Sequence, residues 1–134
     1  MNARNLADDD LGIAGLSGDL SRWQQEIELI NIELIFYRNL IGTHQKEQGT
    51  WSAADYDNLQ ESIRDIQDHN RGYQRQFLNF SNDLRKMDEC QDLQCEAHFA
   101  RNYLAFKAEI EGHFARYKQF KRNLFTFLKT RYNY

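Results

Sequence analysis

Two imidazole and carboxylate pairs are the residues of this chain best spaced for chemistry. Asp65 and His69, like Glu109 and His113, stand four positions apart, the interval that puts two side chains on one face of a helix where they can share a ligand. If the chain folds back on itself twice, Glu33 joins them at about the same level. A divalent metal held by His69, Glu109 and His113 is then conceivable. Di-iron bundles, however, use Glu-x-x-His on two helices with a further Glu on each of two more, and Glu-x-x-His does not occur in this sequence.

A structural account of the same residues competes with the metal site and is preferred. Asn70 and His113 are each the polar member of an otherwise apolar seam, and a hydrogen-bonded pair inside a bundle fixes helix register at some cost in stability. No metal and no cofactor are therefore expected. On this account Asn70→Leu should leave stability unchanged or raise it.

Covalent catalysis has less to stand on. Cys95 and His98 could be written as a dyad, but no third group orients the histidine. Gly-x-Ser-x-Gly is absent, and Gly12, Gly15 and Gly18 lack the strand and helix context of a phosphate-cradling loop. The chain is expected not to be an enzyme.

The elements that carry these residues are helical. The 134 residues include no proline and 7 glycines, with 41% hydrophobic side chains. That composition supports one ordered core and disfavours a sheet protein with many tight turns. Leu20, Trp23, Ile27, Ile30, Leu34, Tyr37 and Ile41 recur at intervals of three and four, a helical stripe. After Gly49 and Trp51, Ser52 and Asp55 form a variant of the capping box. Tyr56, Leu59, Ile63, Ile66, Asn70, Tyr73, Phe77, Phe80, Leu84 and Met87 then follow without a slip, as in a coiled coil.

A third seam runs through Phe99, Tyr103, Phe106, Ile110, His113, Tyr117, Phe120, Leu124 and Phe127. Its phase does not continue that of the second, which calls for a turn between Asp88 and Asp92, either of which can cap the helix that follows. The fold expected is all-α: an elongated antiparallel up-down-up bundle of three long helices, at about 19–47, 52–87 and 92–130. Residues 1–17 form an arm, irregular or briefly helical, and 18–134 a single domain.

A net charge of -3 excludes a strongly basic nucleic-acid binder. Past Glu111 the chain has no acidic residue, while Arg116, Lys118, Lys121, Arg122, Lys129 and Arg131 interleave with aromatics. The expected partner of this basic stretch is internal, the acidic start of helix two at Asp55, Asp57, Glu61, Asp65 and Asp68. No nucleic acid is expected as a partner. No run approaches the roughly 20 apolar residues of a membrane span, and none resembles a signal peptide. Cytoplasm is the default, with an exported form that has lost its leader left open. Cys90 and Cys95 are read as reduced, inert residues, although a small bridged loop is the alternative.

Helix one carries a surplus. Leu29, Ile32, Phe36 and Leu40 form a second apolar ridge on the face away from its stripe. At about 1.5 to 3 kcal/mol for each large side chain buried, such a ridge is not expected to stay wet. A two-fold dimer covers it by using one patch twice, and the arm is the other candidate cover. The function expected is a non-enzymatic interaction or structural module, a homodimer through helix one, with a further protein partner unspecified. The alternative is a metal or small-ligand binder with a mid-bundle His and carboxylate site.

Overall fold

A computed structural model describes the backbone of residues 13–132 and the side chains of 15–129. It has three long helices, α1 (Ile13–Gln48), α2 (Ala53–Asp88) and α3 (Leu93–Tyr132), and no strand among those residues. The all-α three-helix architecture read from the periodicity is the one found. α1 starts earlier than expected, so Leu16 is no part of an arm but a fully buried core residue. Burial of Leu16 and Leu20 outweighs the roughly 1 kcal/mol that each of Gly15 and Gly18 costs a helix. Residues 1–12 of the expected arm lie outside the described residues.

The two links are short and chemically specified. Gly49 closes α1 with φ +55°, and its N–H bonds the Gln45 carbonyl at 3.1 Å, a left-handed C-terminal cap. Ser52 then caps α2, accepting from the Asp55 N–H at 3.1 Å. Between them Gln45 clamps Trp51 from both sides of its backbone: Nε2 donates to the Trp51 carbonyl and Oε1 accepts from its N–H, each at 2.9 Å. At the second link Asp92 caps α3 by accepting from the Cys95 N–H at 2.8 Å.

Links this short reverse the chain twice. α1 and α3 therefore run parallel, and their register shows in two tyrosine and carboxylate pairs, Tyr103 with Asp19 and Tyr117 with Glu33, each 84 positions apart. The core divides into two clusters. One, toward the α2–α3 link, includes Leu16, Trp23, Ile27, Tyr73, Phe77, Phe106 and Ile110; the other, toward the α1–α2 link, includes Ile30, Leu34, Ile63, Ile66, Tyr117 and Leu124. Near its end the buried stripe of α3 drifts from Phe127, half-buried, to Leu128, buried, because a straight helix does not hold a repeat of 3.5 residues.

Candidate interaction face and buried polar layer

Between the two apolar clusters lies the polar layer. Asn70 and His113 are both buried. The Asn70 amide donates twice from Nδ2, to the Ile27 carbonyl at 3.0 Å and to Asn31 Oδ1 at 2.9 Å. Its Oδ1 is thus the acceptor that faces His113 Nε2, which must carry the hydrogen. One asparagine so ties all three helices together. Asn31 was not marked by the sequence, because it stands at the margin of the α1 stripe.

His113 is held neutral. Its pKa falls from 6.5 to about 4, mainly because burial disfavours the charged ring, with the positive charge of Arg116 and neighbouring His69 adding to this. The His69 ring centroid is 6.2 Å away. His69 itself is half exposed, and its Nδ1 lies 2.8 Å from the Asp65 carbonyl, to which it donates.

Of the metal candidates, His69 and His113 come together, but Glu109 contributes its backbone carbonyl to Tyr73 Oη at 3.2 Å while its side chain is exposed. Glu33 faces α3 from the other side, accepting from Tyr117 Oη at 2.7 Å and lying 3.3 Å from Lys121 Nζ. Among the described residues no three His, Cys, Asp or Glu side chains converge as a metal site. The Tyr103 and Tyr117 phenols are pushed up, first by burial and then by the carboxylates of Asp19 and Glu33 to which they donate.

The basic stretch of α3 is not matched as expected. Among the described residues no ion pair joins it to the acidic start of α2; Lys121 instead pairs with Glu33 of α1 and lies 5.0 Å from the Tyr117 ring centroid. Asp57, Glu61, Asp65 and Asp68 are exposed, and the last two engage His69 and Arg71 on their own helix. Asp55 shares a groove with Phe120 and Asn123 of α3, and Asp68 shares one with Glu109, but among the described residues neither meets a basic side chain of α3 there.

The outer ridge of α1 is exposed as its pattern implied. Ile32 keeps 66% and Phe36 60% of their surface open, and Leu29 and Ile35 about half. Leu40 departs from the expectation: it is half-buried against the cluster around Ile41 and Trp51. Phe125 of α3, which lies outside its seam, extends the patch. Its ring meets Tyr37 edge-to-face at 5.6 Å, and Phe36 meets Tyr37 at 5.7 Å. The signal for Phe125 was its departure from the heptad beside a polar neighbour, and that reads as an apolar surface residue only once α1 is placed next to it.

Cys90 and Cys95 are bonded to each other, with Cα atoms 5.7 Å apart, which corrects their reading as free thiols. The turn after α2 brings Cys90 back over the first turn of α3, inside the usual Cα separation for a bridge.

No protein-family model, curated protein or solved structure matches the chain. Among the described residues no helix is long and apolar enough to cross a membrane. The class defined by the fold is an all-α three-helix bundle, with exposed apolar side chains on α1 and at Phe125 of α3.

Proposed function

We propose that this protein is a non-enzymatic interaction module that self-associates through the outer face of α1, extended by Phe125. The observation that carries this reading is the exposure of Leu29, Ile32 and Phe36 at helical spacing on one face. A contiguous apolar ridge is characteristic of a surface that another helix covers. In a symmetric dimer α1 meets its own copy, so each ridge is covered by an identical one. Sedimentation of the purified protein at micromolar concentration tests this: a dimer that Ile32→Asp with Phe36→Asp turns into a folded monomer is expected, and a monomeric unmutated protein would refute it.

The bridge between Cys90 and Cys95 bears on where the module works. Disulfides persist in oxidising compartments and are rare in the cytosol, so it supports an exported protein over the cytoplasmic default. The mid-bundle metal site has no comparable support, since His113 Nε2 is committed to Asn70 and Glu109 faces outward.

A further inference from the structure

A single Asn of the chain, Asn79, is followed two places later by Ser or Thr, and the residue between, Phe80, is not proline. In an oxidising compartment that also glycosylates, Asn79-Phe80-Ser81 is the acceptor sequence for an N-linked glycan. The bond between Cys90 and Cys95 is the independent sign of an oxidising compartment.

The fold leaves room for the glycan. Asn79 lies about two and a half helical turns beyond buried Asn70, and therefore on the opposite, outward face of α2. Both Asn79 and Ser81 are exposed, and neither side chain is hydrogen-bonded to the described residues. Leu78, next to Asn79, is at 71% the most exposed of the large apolar side chains described, and it stands on a different helix from the α1 ridge. A bulky, hydrophilic glycan on the adjoining residue shields it.

The same geometry fixes when the glycan is attached. A transferase has to read the Asn amide and the Ser hydroxyl together, whereas helical side chains two positions apart do not share a face. Phe80, between them, packs on Phe106 of α3 with ring centroids 4.3 Å apart. Folding thus locks the acceptor sequence into a form that the transferase cannot read.

We propose that Asn79 is an N-glycosylation site, modified before α2 packs against α3. The co-substrate class is a polyprenyl-diphosphate-linked oligosaccharide. Asn79 Nδ2 forms a bond to its anomeric carbon, the bond from that carbon to the diphosphate oxygen breaks, the polyprenyl diphosphate leaves, and Nδ2 gives up one proton. The proposal rests on the exported reading, and it leaves the α1 ridge free for self-association.

The test is cell-free translation of the full chain, behind a cleavable secretory leader, with microsomes competent for N-glycosylation. The translocated chain is expected to gain the mass of one glycan, which peptide N-glycosidase removes. Asn79→Gln and Ser81→Ala should each abolish the gain, and Ser81→Thr should keep it. Because transfer precedes folding, a variant that fails to fold is still read by this assay. With detergent-solubilised transferase, a peptide from Gln76 to Leu84, too short to hold a helix in water, should be modified and the purified folded protein should not. A translocated chain with its cysteines bridged and no glycan would overturn the site while leaving the exported reading intact. Cysteines that stay reduced after translocation would overturn the exported reading on which the proposal stands. Equal modification of peptide and folded protein would overturn the stated order of events.

Discussion

His113 and Asn70 are joined by a hydrogen bond between helices α3 and α2, and the same asparagine reaches the Ile27 carbonyl of α1. The layer lies between two apolar clusters that each contain residues of all three helices. Sliding one helix by a turn would bury these groups without partners. The layer therefore penalises shifted registers more than it strengthens the correct one.

Substituting Asn70 should accordingly cost stability. The sequence alone leads to the expectation that Asn70→Leu is neutral or stabilising, but the structure shows that the change would strand the His113 Nε2 hydrogen and Asn31 inside the bundle. A loss of about 1 to 3 kcal/mol is expected in urea unfolding. Asn70→Leu combined with His113→Leu should cost less than the two single changes added together, because no donor is then left unpaired.

Acid should weaken the fold through His113. Its folded pKa, about 4, lies below the unfolded value of 6.5, so the unfolded chain takes up the proton first. The stabilising contribution is complete above about pH 6.5 and is lost as pH falls toward 4, by up to about 3 kcal/mol. Unfolding free energies measured across that interval should fall more steeply for the unmutated protein than for His113→Gln, and parallel slopes would refute the assignment.

Reduction should loosen the α2–α3 link. A bridge with a sequence separation of 5 constrains the unfolded chain by about 2 kcal/mol in the chain-entropy treatment. Thermal unfolding with and without reductant should differ accordingly, while Cys90→Ser with Cys95→Ser should match the reduced protein and be insensitive to reductant.

Self-association should be sensitive to α3 as well as α1. Phe125→Glu places a charge beside Tyr37 and Phe36 and is expected to raise the dimer dissociation constant by about tenfold or more. Leu78→Glu, a change at a residue 71% exposed on α2, should leave it unchanged. Light scattering over a concentration series distinguishes the two, and equal effects would remove Phe125 from the interface.

Periodicity by itself determined the three helices and most of what they bury. Intervals of three and four in Ile27, Ile30 and Leu34, or in Ile63, Ile66 and Asn70, constrain one helix at a time, and every one of these residues is buried. Caps and turns were legible for the same reason: Ser52, Asp92 and Gly49 act on backbone groups a few positions away. The exposed ridge at Ile32 and Phe36 also followed from the period of a single helix.

What depends on pairing helices was decided by tertiary structure alone. The meeting of Tyr117 with Glu33, the turning of Lys121 to α1 instead of α2, and the entry of Asn31 into the polar layer all depend on the rotation of each helix about its axis. That rotation is set by how bulky side chains such as Trp23, Phe106 and Tyr117 fill the space between three helices at once. A one-dimensional pattern records which face of a helix is apolar. It does not record which neighbour that face, or its polar margin, will meet, because that choice is made by packing energies summed over residues far apart in the chain.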